Sequence, residues 1–151
     1  MLREQLADAL KVAMKARDQI TVSTVRLILA ALKDRDIATR GQDRDDGLVD
    51  DEILHMLTTM VRQRRESIAL YEQGKRDDLA AREAIEIVVI ERFLPRQLDE
   101  AETSAAIGQV IDELGAVSLK DMGRTMRALK EKYAGKMDFA KASGLVKQRL
   151  A

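Results

Sequence analysis

"IEIVVIERFLPRQLDE", residues 85–100, is the stretch on which the fold turns. Its first six residues are rich in β-branched side chains and make a fair strand by propensity alone. The flanks "LAAREA" and "ERFL" favour helix, so the run reads as the end of a helix. Pro95, the single proline, stops it, because the residue before a proline is pushed out of the α region. Asp99 then has Glu102 three residues on, the reciprocal arrangement of a helix N-terminus. A boundary is therefore placed here, dividing an N-terminal subdomain, 1–95, from a C-terminal tail, 96–151.

Working back from the boundary, four helices are expected. Residues 2–17 put Leu2, Leu6, Leu10, Ala13 and Met14 on one face. A second helix starts near Thr21, a candidate cap, with Val25, Ile28, Leu29 and Leu32 inward. "RGQDRDDG", residues 40–47, is polar and bracketed by glycines, which marks a loop. Asp50 is a candidate cap for a third helix carrying Ile53, Leu57, Met60, Val61 and Ile68 and ending near Gly74. Asp77 or Asp78 opens the fourth, on which Leu79, Ile85, Val88 and Val89 are apolar.

Forward of the boundary, three shorter helices are expected. The first carries Ala106, Val110, Ile111 and Leu114 and ends at Gly115. Ser118 caps the second, and Asp138 caps the third, with Phe139, Ala142, Val146 and Leu150 inward. The fold class is all-α: a bundle of about four helices followed by a three-helix tail. The 46% hydrophobic content suffices for a core, and with 3% aromatics that core must be built of Leu, Ile, Val, Ala and Met.

The catalytic inventory is short. With no cysteine, thiolate nucleophiles, disulfides and Cys-based metal sites are excluded. His55 is the only histidine. With Glu52 it forms one Glu-x-x-His, whereas a di-iron bundle needs that motif twice. Asp51 and His55 stand four apart and can share an ion, but the plainer reading is a polar helix face with Thr58 and Arg62. No Gly-x-Ser-x-Gly elbow and no phosphate-binding Gly-Lys-Ser/Thr loop is present. The paired carboxylates of "RDDG", "VDDE" and "RDDL" each fall at a loop or a helix start, where they cap and suit the helix dipole. The residues call for no catalytic group, no metal and no cofactor, and whether the chain is an enzyme stays open. The N-terminus carries Arg3, Glu4 and Asp8 where a signal peptide would be apolar, and no window suits a membrane span, so a cytoplasmic protein without membrane contact is the expectation.

Charge is distributed unevenly although the net is zero. Residues 118–151 contain nine basic and three acidic residues, while residues 96–117 contain one basic and five acidic. Within the basic part, Met122, Met126, Leu129 and Tyr133 fall within about 60° on a helical wheel. Lys120, Arg124, Arg127, Lys130, Lys132 and Lys136 are the candidate nucleic-acid contacts, Lys120, Arg124 and Arg127 lying opposite the apolar stripe. Gly123, at the edge of that stripe, is expected to admit a neighbouring backbone. A second cluster, "VRQRRES" at 61–67, reads as a solvated helix face held by internal ion pairs. Few aromatics are available for base stacking, so backbone and shape, not single-stranded sequence, are what the basic face suits.

"KVAMKARD", "TVRLILAALKDRDI", "RRESIALYEQGKRDDLAAREAIEIVVIERFLPRQL" and "DMGRTMRALKEKYAGKMD" together resemble the GatB/YqeY family over nearly the whole chain. "FLPRQL", with Phe93 where the family often has Tyr, and "MGRTM", matching a Met-Gly-x-x-Met pattern, are the most specific marks. The resemblance is to a stand-alone YqeY-like member, similar to the C-terminal module of the amidotransferase B subunit without its catalytic domain. It implies a helical bundle followed by a three-helix tail, with Met122, Gly123 and Met126 in the packing motif. It also implies association with glutamine-dependent carbon–nitrogen ligation on misacylated tRNA, whose chemistry resides in other domains and subunits. Two functions from different classes follow as expectations: an accessory protein that binds tRNA through the tail, and a protein–protein adaptor whose partner is a synthetase or an amidotransferase subunit.

Overall fold

A computed structural model describes residues 1–42 and 46–151. Among them the chain is all-helical: seven α-helices, a single 3-10 turn and no strand. The helices are α1 (Leu2–Ala16), α2 (Gln19–Arg40), α3 (Asp50–Gln73), α4 (Asp77–Glu91), α5 (Glu100–Leu114), α6 (Met122–Lys132) and α7 (Phe139–Leu150). They group into two compact units, Met1–Leu94 and Pro95–Ala151. The central part of the expected 40–47 loop, Asp43 to Asp45, lies outside the described residues.

In the first unit, α1 ends where Arg17 turns left-handed, at φ 57°, and the Asp18 amide bonds back to the Ala13 carbonyl at 3.0 Å. Asp18 caps α2, accepting from the Thr21 amide at 3.2 Å and the Thr21 hydroxyl at 2.7 Å. These two bonds hold the Asp18 carboxyl below its usual range. Thr21 is therefore inside the helix and not its cap, because aspartate three residues upstream is the better acceptor. At α3 the cap falls on Val49 rather than Asp50, and Glu52 satisfies the Val49 amide at 3.3 Å.

The core of this unit is Leu2, Leu6, Ile28, Leu32, Ile53, Met56, Leu57, Met60, Val61, Ile87 and Ile90 among others. The "IEIVVI" segment is helical, and it buries Ile87, Val89 and Ile90 while Ile85 and Val88 face out. Apolar residue type alone does not say which face turns inward. Met14 likewise faces out on α1.

One polar cluster ties the unit together. Arg3 on α1 donates through both terminal nitrogens to Asp36 on α2, each at 2.7 Å, and also to the Leu48 carbonyl at 2.9 Å. Asp36 in turn accepts from the Leu48 amide at 2.9 Å. Gly47, at φ 73°, lies so close that a Cβ there would strike the Asp36 carboxylate and the Arg3 guanidinium. Glycine is required on both counts, conformation and space.

In the second unit, Asp99 and Glu102 form the expected capping box: Glu102 N donates to Asp99 at 2.7 Å and Asp99 N to Glu102 at 3.2 Å. Arg96 adds two hydrogen bonds to Glu102, at 3.0 and 2.7 Å, and the Glu102 carboxyl is pushed down to about 2. Gly115 ends α5 in the left-handed conformation, and Asp138 caps α7 through the Ala140 amide at 2.9 Å. The "PRQL" segment is pinned to the α6–α7 connection, with Gln97 donating to the Gly135 carbonyl at 2.6 Å and Leu98 N to the Lys136 carbonyl at 2.9 Å. Ile107, Val110, Leu129, Ala142 and Val146 are the centre of a separate small core.

The Asp36 carboxyl is held at about 2, against an ordinary 3.8, first by the Arg3 hydrogen bonds and then by the Leu48 amide and the charges of Arg3 and Arg40. Its contribution to stability is thus complete above the ordinary value and is lost as the pH falls through about 2. Replacing Arg3 by Met should cost about 1–3 kcal/mol at neutral pH, since the half-buried carboxylate loses its partner. In urea unfolding between pH 5 and 2, the variant should show a shallower fall in stability than the parent chain. A parallel slope would mean that this pair is not the acid-sensitive one. The inward assignment of α4 is checked the same way. Ile90→Ala should cost about 2–5 kcal/mol, whereas Val88→Lys should stay within about 0.5 kcal/mol.

Candidate nucleic-acid interface

The α6 region shows how the tail's charge is carried. Asp121, last residue of the 3-10 turn Leu119–Asp121, accepts from the amides of Val117 at 2.9 Å and Ser118 at 3.3 Å and from Arg124 Nε at 3.0 Å. Its carboxyl sits below the usual range, chiefly through the Val117 amide. This one side chain folds the approach to α6 and at the same time ties Arg124 to the surface. Buried Thr125 donates to the Asp121 carbonyl at 2.8 Å, which fixes the start of α6.

The apolar stripe packs as its spacing requires. Leu129 is fully buried, and Met122, Met126 and Tyr133 lie half-buried against the core of the second unit. Of the six candidate cations, Arg124 is engaged by Asp121, and Lys132 reaches Glu113 of α5 at 3.7 Å while standing 5.7 Å from the Tyr133 ring centre. Lys120, Arg127, Lys130 and Lys136 are exposed, and their side chains meet no partner among the described residues. The same is true of Lys141 and Lys147 on α7, whereas Arg149 donates to Ser104 on α5. The structure thus gathers an unpaired group of cations around α6 and a second set on α7, and takes Arg124 and Lys132 partly out of play. The Arg124–Asp121 pairing, three residues apart on a helix start, was legible from spacing. The Lys132–Glu113 pair was not, since it joins two helices.

Gly123 corrects one expectation. A Cβ there would meet nothing within 4 Å, so no neighbouring backbone approaches it. The close approach in this unit is at Gly108, where a Cβ would lie 2.5 Å from the Arg149 guanidinium. Gly123 has no positive φ either, so relative to alanine it costs the helix up to about 1 kcal/mol with no internal return.

The rival basic cluster is paired from within, but only Arg62 uses a flanking acid, while the partners of Arg64 and Arg65 come from α4. Arg64 and Glu86 form a largely buried pair at 3.1 Å between α3 and α4, Arg65 meets Glu91 at 3.5 Å, and Arg62 meets Glu66 at 3.9 Å. Glu52 is used as the partner of the α3 cap. Among the described residues no three His, Cys, Asp or Glu side chains gather in a way that would hold a metal ion.

The described residues thus form an all-helical chain with two separate apolar cores and a set of exposed cations on the second unit. The family described as "Yqey-like protein" matches residues 3–150, and the chain belongs to it. It is also similar to proteins named "Altered inheritance of mitochondria protein 41, mitochondrial". The Kluyveromyces lactis protein is 32% identical over 112 residues, 72% of this chain and 58% of the relative. The one from Lachancea thermotolerans is 32% identical over 107 residues, 70% of this chain and 55% of the relative. The one from Saccharomyces cerevisiae is 34% identical over 85 residues, 56% and 44%. The chain spans about half the length of these curated relatives.

These relatives overturn the expectation of a cytoplasmic protein, because the names they carry are mitochondrial. The physical ground for that expectation was insufficient. Among the described residues no helix is long and apolar enough to cross a membrane, and such a chain can fold on either side of one.

Asp121→Ala should lower the thermal midpoint by several degrees, since two amides and Arg124 lose their acceptor together. An unchanged midpoint in a calorimetric scan would show that the turn before α6 is held by its backbone alone.

Proposed function

We propose that this chain is a non-catalytic accessory protein that binds tRNA through the basic face of its second unit. The observation that carries the reading is that Lys120, Arg127, Lys130 and Lys136 meet no partner among the described residues, in a stretch where positive charge exceeds negative by six. Cations with internal partners would cost those partners on binding, whereas exposed unpaired ones release only counterions from the nucleic acid. Shape and phosphate contact need charge and reach without aromatic stacking. The glutamine-dependent ligation associated with the family by resemblance belongs, in this reading, to other subunits, and this chain contributes the grip on tRNA.

The adaptor reading is favoured by one observation. Val117 is 84% exposed and Leu119 49% exposed immediately before Lys120, an apolar tip beside the charge. Such a tip suits a protein partner better than a phosphate backbone.

Binding of bulk tRNA, followed by fluorescence anisotropy across a salt series, tests the proposal. Affinity should fall linearly with the logarithm of salt. Arg127→Ala with Lys130→Ala should weaken it on the order of tenfold and reduce the slope by about 2, roughly one for each phosphate contact. Arg124→Ala with Lys132→Ala should do markedly less, because both cations already serve Asp121 and Glu113. Equal effects from the two double variants would mean that internal pairing does not select the contacts. Binding that is absent even at low salt would leave the adaptor reading in its place.

A further inference from the structure

The nine basic residues of 118–151 are interrupted by two glycines for which the described fold has no use. Gly123 lies in the first turn of α6 and Gly144 in the middle of α7. Both are exposed, neither has a positive φ, and a Cβ built on either would meet nothing within 4 Å. Glycine in a helix is destabilising relative to alanine, and the reasons that excuse it are a special backbone angle or a close approach. Among the described residues both reasons are missing at both positions. In the same unit Gly115 shows what an internal reason looks like, a left-handed backbone at φ 62°.

The surroundings of the two glycines are alike. Gly123 has Lys120 three residues before it, Arg127 four after and Lys130 seven after. Arg127 and Lys130 lie within about 40° of it on a helical wheel, and Lys120 stands in the 3-10 turn that leads into the helix. Gly144 has Lys141 three before and Lys147 three after, again about 60° to either side. These five cations are exposed and unpaired among the described residues. Lys141 also stands in the first turn of α7, where the helix dipole disfavours a cation, so helix stability does not account for it. Each helix therefore presents a bare strip of backbone flanked by free positive charge.

We infer that Gly123 and Gly144 are the points at which the phosphodiester backbone of a bound RNA comes into contact with the helix main chain. The missing side chains lower the helix surface, and the flanking cations reach past it to phosphates on both sides. Close approach of a ligand to backbone is one of the uses that require glycine. The inference rests on the tRNA reading and deepens it, adding Lys141, Gly144 and Lys147 on α7 to the contacts around α6.

The test separates the two ideas because its substitutions stabilise the helices. Gly123→Ala, Gly144→Ala, the double variant and the bulkier uncharged Gly123→Gln with Gly144→Gln are compared with the parent chain. Thermal midpoints and affinity for bulk tRNA are measured at one low salt concentration. The alanine variants should melt higher, by a few degrees. The double alanine variant should nevertheless bind on the order of tenfold more weakly, and the glutamine pair more weakly still. A loss of affinity in a more stable protein does not come from misfolding. Raised midpoints with unchanged affinity in all variants would overturn the inference and leave tRNA binding standing. A parent chain that fails to bind tRNA would overturn the reading and this inference with it.

Discussion

The Arg3–Asp36 pair is the interaction on which the first unit depends. A guanidinium from α1 and a carboxylate from α2 meet in a two-pronged contact, and the same two groups satisfy both backbone atoms of Leu48 on the way into α3. Three segments distant in sequence are thereby fixed at one point. Planar matching of this kind is stronger than a single ion pair and specifies orientation as well as distance. Gly47 is a consequence, because no side chain fits against the pair. Once the entry to α3 is fixed, Ile53, Met56, Leu57 and Met60 meet Leu2, Leu6 and Ile28 in one core.

Electrostatics in the second unit follow a different principle. There four of the acidic side chains serve as caps and anchors: Asp99 and Glu102 at α5, Asp121 before α6, Asp138 at α7. A carboxylate already occupied by backbone amides is a weak competitor for distant lysines, and the basic residues of α6 and α7 stay largely free. The first unit pairs its arginines across helices, as Arg64 with Glu86 and Arg65 with Glu91, and leaves that basic cluster little to offer a ligand. Two clusters that look alike in sequence therefore differ in availability. Contacts between elements are what separate them.

The glycines make the same point from the side of shape. A sequence shows a glycine but not its reason. Gly47 and Gly115 have reasons inside the fold, the first a crowded pair and a left-handed backbone, the second a left-handed backbone, while Gly108 lies under the movable Arg149 guanidinium. Gly123 and Gly144 have none there among the described residues, and the cations that flank them are exposed.

The sequence by itself determined the helices, their approximate ends at Gly74, Gly115 and Pro95, the capping box at Asp99 and Glu102, and the apolar stripe of α6. These are local matters, settled by backbone geometry and neighbours three or four residues away. It misplaced the caps at Thr21 and Asp50, where a stronger acceptor three residues upstream and a plain residue one position upstream took the role, and it did not say which face of "IEIVVI" turns inward. Only the tertiary structure decided that Ile87 and Ile90 are buried while Ile85 and Val88 are not, that Arg3 belongs with Asp36, and that Lys132 is partnered and Lys130 free. Each of these depends on side chains brought together from separate helices, and the periodicity of a single helix carries no record of what its neighbours present.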